Sequence, residues 1–194
     1  MKAGYLRQWS FIFRLKNLGS LDKPLTRKIL QNPNHPVTKL ILYIYSMESF
    51  IYPHLNKTCR ERDISQIRFF GPFAAALSYI LYFANSNRDP INRIKGTTML
   101  YRGVQLNPSE IKDRTEGKKI CLQGYTSASK DRQVAVDFAT DRIADGKVAV
   151  IYEIEFKGTQ GIFFMSSRKF SAHPEEELVL IQDGLEYLIT SVQE

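Results

Sequence analysis

The amino-acid sequence predicts an α+β fold, with helices first and a strand-rich region holding one helix after them. Three observations carry this. Apolar residues recur at spacings of three and four through residues 37–57, and again from Pro72 to Asn85, as on helix faces. From Thr97 the texture changes to short apolar or alternating runs punctuated by Gly, Asn and Asp. The length of 194 residues, 43% hydrophobic and 24% charged, fits one domain. A domain of this size buries roughly 70% of the surface its unfolded chain exposes.

The elements follow in order. Trp9, Phe11, Phe13 and Leu15 alternate, as in a short strand or a docked segment. Leu21 to Gln31 reads as a short helix, and Asn32-Pro-Asn-His-Pro36 ends it. Val37 to Lys57 reads as helical, with Leu40, Tyr43, Ile44, Met47, Phe50 and Ile51 on one face and Pro53 breaking or restarting the run. Asp63 to Ile67 reads as the opening of another turn. A further helix starts at Pro72, where a missing amide hydrogen costs nothing, and buries Ala74, Leu77, Ile80 and Leu81. Asn85 to Pro90 is a surface linker. Thr98 to Val104 is a buried strand, and Asn107 caps a short helix with Pro108 at its first position. Ile120 to Thr126 is a strand. Asp131 to Ile143 is a helix with Val134, Phe138 and Ile143 on one side. Val148 to Phe156 alternates as a half-buried strand. Gly161 to Met165 is a short strand. Glu177 to Leu180 and Tyr187 to Val192 form a hairpin through Asp183-Gly184.

Composition excludes several classes. The net charge of +7 suits solubility, an anionic cofactor, an acidic partner, a membrane surface or nucleic acid. Basic residues are spread along the chain, with no zinc finger, RNP motif or long Lys/Arg run, so nucleic acid is not the expected partner. Cys59 and Cys121 allow one bridge at most, and reduced thiols or core positions are expected. No His lies near either cysteine in a zinc pattern, so no metal is expected. Arg14 and Lys16 interrupt the apolar residues of the N-terminus, which argues against a signal peptide. Gly71, Pro72 and Ser78 interrupt Phe69 to Ala84, so no membrane span is expected. Neither a GxxxxGK[ST] loop nor a GxGxxG turn is present.

Three segments carry residues suited to chemistry. Arg102 sits among hydrophobes before Gly103, where a charge is costly unless an anion or a carboxylate meets it. A strand-end arginine that reaches solvent or pairs with a glutamate satisfies the same pattern. Gly124 to Lys130 runs from a strand into hydroxyl-rich residues, with Ser129 placed to cap the following helix and Ser127 free for a site. Glu175-Glu-Glu177 runs into Leu178 to Ile181, and an extended chain there puts Glu175 and Glu177 on one side. A solvated strand end is the plain alternative. A Cys121/His173 nucleophile pair is a remote one.

Taken together, Leu100-Tyr-Arg-Gly-Val104, Gly124-Tyr-Thr-Ser-Ala-Ser129 and Glu175-Glu-Glu-Leu-Val-Leu-Ile181 resemble the arginine-directed mono-ADP-ribosyltransferases, the R-S-E group of the cholera-toxin-like class. The spacings, about 25 and about 48 residues, suit that group, and the stretch from Tyr43 through Asn56 and Arg60 to Phe69-Phe-Gly resembles its helical lead-in. The resemblance covers about residues 36–192. It implies one catalytic domain over 1–194: an extension at 1–35, a helical lead-in at 36–90, and a strand-rich, NAD-binding mixed core of two packed sheets at 97–192. It implies transfer of ADP-ribose from NAD to a protein arginine, with NAD as substrate and no metal. NAD hydrolysis and an inactive NAD-binding or interaction module are the alternatives. On the resemblance, Tyr101, Arg102, Gly103, Ser127, Phe138 and Glu177 meet the cofactor. Arg102, Ser127, Glu175 and Glu177 carry the catalysis, and Ser129 is structural. Phe170 and Glu175 meet the acceptor, Phe170 from a presenting loop at Met165 to Pro174. Ala128 departs from the usual Ser-Thr-Ser, but faces away from both serines in an extended segment. The disulfides and export signals of the group's vertebrate surface enzymes are not seen, which implies an intracellular protein or a delivered effector.

Overall fold

The computed structural model describes residues 24–47, 50–83, 97–157 and 161–193. The segment expected at Trp9 to Leu15 and the linker at Asn85 to Pro90 lie outside the described residues. Four helices come first: α1 (Pro24–Leu30), α2 (Pro36–Ser46), α3 (Ile51–Glu61) and α4 (Ile64–Phe83). His35 caps α2, its ring Nδ1 accepting from the Val37 amide at 3.2 Å, and Pro36 fills the first position.

The helix expected over 37–57 is therefore two helices. Pro53 stands in the first turn of α3, where its missing N–H breaks no bond. The expected buried face is also corrected. Leu40, Tyr43, Met47 and Phe50 are exposed, whereas Thr38, Leu42 and Tyr45 are buried. Thr38 can be buried because its hydroxyl donates to the Ile29 carbonyl at 2.9 Å. Apolar periodicity counts neither that residue nor the polar end of Tyr45. Pro72 lies inside α4 rather than at its start, on an exposed position just before the buried run from Ala74 to Ser78.

The strands follow as β1 (Thr97–Leu106), β2 (Lys119–Cys121), β3 (Thr126–Ser129), β4 (Val148–Lys157), β5 (Ile162–Phe164), β6 (Leu178–Ile181) and β7 (Glu186–Leu188). Helix α5 (Pro108–Lys112) follows β1, and α6 (Arg132–Thr140) follows β3. Glu110 accepts from the Asn107 backbone amide at 2.9 Å and closes the expected cap on α5. Asp131, not Ser129, caps α6, its carboxylate accepting from the Gln133 amide at 2.8 Å.

The described strands form a five-stranded sheet in the order β4-β1-β3-β6-β5 and a two-stranded sheet of β2 and β7. Neighbours pair antiparallel throughout. The strand expected at 120–126 is split at Gly124, whose φ of 86° turns the chain from the small sheet to the large one. The expected hairpin at Asp183-Gly184 is likewise a crossing between sheets: β6 pairs with β3 and β5, and β7 with β2. Asp183 serves this crossing, because its carboxylate accepts from the Gly124 amide.

Alternation along the strands gives the large sheet two buried faces. Tyr125, Phe163 and Leu180 pack against α2, α3 and α4 around Leu42, Tyr45, Leu55, Leu77, Ile80 and Leu81. Leu100, Ala128, Ile154, Ile162, Val179 and Ile181 face the other way, toward Leu122, Leu185 and Tyr187 of the small-sheet side. Helix α6 lies on β1 so closely that a Cβ on Gly103 would sit 1.8 Å from the Ala135 carbonyl oxygen. Among the described residues no helix is long and apolar enough to cross a membrane.

Two outcomes are expected from this packing. Gly103→Ala forces α6 away from β1 and should cost on the order of 3 kcal/mol in chemical denaturation. Burial pushes the Asp183 carboxyl above its ordinary value of 3.8, against the Gly124 hydrogen bond and Arg62, which lower it. The folded state then holds this proton to higher pH than the unfolded chain, so stability is lost as pH rises from the ordinary value through the raised one. Asp183→Asn keeps an oxygen for the Gly124 amide. It should raise the urea midpoint at neutral pH, with the gain shrinking toward about pH 4. A loss of equal size at both pH values would refute that assignment.

Candidate active site

Strand β1 pairs with β4 along all ten of its residues, from Thr97↔Lys157 to Leu106↔Val148. With β3 it shares a single partner pair, Tyr101↔Ser129. The two strands diverge beyond that point, and a cavity of about 320 Å³ lies beside the divergence. Its walls include Tyr101, Arg102 and Gly103 from β1 and Ser127, Ala128 and Ser129 from β3. Tyr45 and Tyr52 line it from the helical layer, Val134, Ala135 and Phe138 from α6, and His173 and Glu176 from the segment before β6.

Arg102 bridges the divergence. Its Nη1 donates to the Ser127 carbonyl at 2.6 Å, a short charge-assisted bond. A guanidinium carries five N–H groups in a planar fork, so this one bond orients the rest. Gly103 supplies backbone at the cavity wall where α6 leaves no room for a side chain. Phe138 projects from α6 at the cavity with 59% of its surface exposed.

Ser127 and Ser129 share one face of β3, and Ala128 is buried on the opposite one among Leu100 and Val179. Ala128 thus faces away from the serines, as expected. Ser129 is a tie: its hydroxyl donates to the Glu176 carbonyl at 2.7 Å and accepts from the Asp131 amide at 2.9 Å. It joins β3 to the glutamate segment and to the α6 cap at once.

The glutamates depart from the extended arrangement. Pro174–Glu176 is a 3₁₀ turn, Glu177 follows with a left-handed φ of 46°, and β6 begins at Leu178. Pro174 sets this course, because its fixed φ suits the first residue of a turn. Alternation therefore does not apply to Glu175 and Glu177. Glu176 lines the cavity, Glu177 is exposed, and the exposed Glu175 carboxylate lies 3.5 Å from His173 Nδ1. Phe170 is half-buried, its ring edge-on to Phe163 at 5.2 Å, and is not part of the cavity wall.

The structure thus brings Tyr101, Arg102, Gly103, Ser127 and Phe138 to one cavity, and leaves Glu175, Glu177 and Phe170 off its wall. Sequence reasoning missed Tyr45, Tyr52 and Glu176, and weighed His173 only as a remote partner of Cys121. No sequence signal marked Tyr45, because the acceptor that lets its hydroxyl be buried, the Tyr125 carbonyl, is brought to it only by the fold. Among the described residues no group of three or more His, Cys, Asp or Glu side chains is placed to hold a metal ion.

No protein-family model matches the chain, and no curated protein matches it. Solved structures do. Vis toxin, an ADP-ribosyltransferase from Vibrio splendidus, aligns with a TM-score of 0.60 at 19% identity, over 98% of this chain and 79% of that one. The same enzyme in complex with agmatine aligns at 0.59 and 17%, over 95% and 79%. C3stau2 from S. aureus with NAD aligns at 0.55 and 14%, over 93% and 88%. With its leading helices, strand-rich core and these likenesses, the chain has the fold of the mono-ADP-ribosyltransferases.

Proposed function

We propose that this chain transfers ADP-ribose from NAD to an arginine side chain of a protein, releasing nicotinamide. The observation that carries the reading is the cavity where β1 and β3 diverge. It gathers an arginine fork, a strand serine, an exposed aromatic ring and a glutamate from three distant parts of the chain. The likeness to one structure with NAD and another with agmatine, a guanidinium compound, supports the same cofactor and acceptor chemistry.

The proposed roles follow from charge. The Arg102 fork suits a pyrophosphate bidentately. Tyr101 and Phe138 offer apolar surface to the rings of the dinucleotide, and the Gly103 backbone is open to the carboxamide. As the glycosidic bond breaks, its electron pair leaves with nicotinamide and positive charge grows on the ribose, where a fixed carboxylate stabilises it. Glu177 takes this role once the turn before β6 extends toward the ligand. Glu175 accepts the proton that a guanidinium nitrogen loses as it bonds to the ribose carbon. A second reading gives the stabilising role to Glu176, because it is the glutamate that already lines the cavity.

Incubation with NAD and agmatine separates transfer from hydrolysis. ADP-ribosylagmatine is the expected product, and free ADP-ribose alone would reduce the activity to hydrolysis. Glu177→Gln should slow nicotinamide release by about 100-fold or more with an unchanged melting temperature. If Glu176→Gln does so instead, the second reading holds. Glu175→Gln should impair agmatine transfer more than hydrolysis. Arg102→Lys, which keeps charge but loses the fork, should raise the KM for NAD by about 10-fold; an unchanged KM would remove Arg102 from the phosphate site.

A further inference from the structure

The segment that carries the three glutamates is fastened to the rest of the molecule at two points, each a serine hydroxyl. At its entry, Ser46 Oγ accepts from the Ala172 amide at 2.8 Å and donates to the Tyr43 carbonyl, also at 2.8 Å. At its exit, Ser129 Oγ donates to the Glu176 carbonyl at 2.7 Å and accepts from the Asp131 amide at 2.9 Å. An amide can only donate and a carbonyl can only accept, so the direction of all four bonds is fixed. Ser46 is the last residue of α2, 126 positions from the residue it holds. The Tyr43 carbonyl also takes the Met47 amide at 3.2 Å, so the Ser46 hydroxyl is tied to a helix end that is itself closed.

Between these two pins the chain is held less firmly. The 3₁₀ turn closes through the Glu176 amide to the His173 carbonyl and the Glu177 amide to the Pro174 carbonyl, both at 3.3 Å. Those bonds are long for N–H···O contacts, whereas both pins are short. Glu177 ends the turn in a left-handed conformation, which a side chain with a β-carbon disfavours. Upstream the chain is firm again: Ser171 is buried, and its hydroxyl accepts from the His173 amide at 3.0 Å. His173 and Glu176 line the cavity, and Glu175 lies 3.5 Å from His173. A ligand that draws on the glutamates therefore meets the weak bonds inside the turn before it meets the pins.

We propose that Ser46 is a positioning residue of this site: it pins the entry of the glutamate turn to the end of α2, so that the turn rearranges over the cavity between fixed ends instead of lifting away. The placement of the carboxylates is then set by the helical layer at one end and by β3 at the other. Ser46 also lines the cavity, so direct contact with the ligand is the competing role. The kinetic half of the inference rests on the proposed NAD chemistry, and the pinning itself stands apart from it.

The test compares Ser46→Ala, which removes the hydroxyl, with Ser46→Thr, which keeps one able to reach the same helix carbonyl. In Ser46→Ala, kcat for nicotinamide release should fall by about 10-fold, the worth of one well-placed hydrogen bond, with KM for NAD changed by less than about 2-fold. Ser46→Thr should return kcat to within about 3-fold of the parent. A raised KM with kcat kept would make Ser46 a ligand contact and overturn the proposal, as would a Thr variant as slow as the Ala variant. Hydrogen exchange gives the structural readout. The Ala172 amide should exchange faster in Ser46→Ala and at the parental rate in Ser46→Thr, with β4 and α6 unchanged. Unchanged exchange at Ala172, or a uniform rise across the chain, would overturn the pinning. Faster exchange beside an unchanged kcat would overturn the positioning role. Should the parent consume no NAD, the proposed function falls while the exchange experiment still decides whether Ser46 pins the turn.

Discussion

The junction between β1 and β3 governs this molecule. One partner pair and one guanidinium bond join a long β1–β4 ribbon to the compact β3–β6–β5 group. A sheet interior is normally closed by continuous ladder hydrogen bonds, and here the ladder stops after one step. The unpaired strand edges are a liability unless something occupies the gap. Arg102 spans part of it, α6 covers its β1 side, and the tyrosines of the helical layer close it from beneath. What remains open is a cleft whose walls are backbone as much as side chain. Such walls hold their shape at little entropic cost.

The helical layer and the sheet are coupled through polar atoms rather than through apolar packing alone. Tyr125 Oη donates to the Ala74 carbonyl at 2.6 Å and lies 2.6 Å from Ser78 Oγ, and Tyr45 reaches the Tyr125 carbonyl. Each bond is made where water is excluded, so losing one partner strands the other. This network specifies one docking of helices on strands, whereas the surrounding leucines and alanines would accept several.

Local chemistry was the legible part of the sequence. Asn107 and Pro108 start a helix for reasons contained in a few residues, and β4 shows its alternation openly. The order of helices and strands, and the convergence of Arg102 and Ser127, followed from the same kind of signal joined to a family resemblance. Choices of partner were not legible. The Asp183-Gly184 pair promises a tight turn, which it delivers, but no residue in it announces that the next strand belongs to a different sheet. Thr38 and Tyr45 were passed over because burial of a polar side chain depends on an acceptor found only in three dimensions. At Glu175 to Glu177, two local signals competed: a run of β-formers downstream favoured extension, and Pro174 favoured a turn. In this structure the proline prevails as far as Leu178.

Strand β6 acts as a ruler. It is four residues long, with the left-handed Glu177 at one end and the sheet crossing near Asp183 at the other. Because side chains alternate along it, Val179 and Ile181 fill one core while Leu180 fills the other. Adding or deleting one residue would invert both cores and rotate the glutamates about the strand axis in the same step. The exposed stretch at 141–147 has no such double duty. Length variation among natural variants of this chain should therefore gather in the second place and be purged from the first, making the spacing between the glutamates and Asp183 a more durable signature of the architecture than the residues themselves.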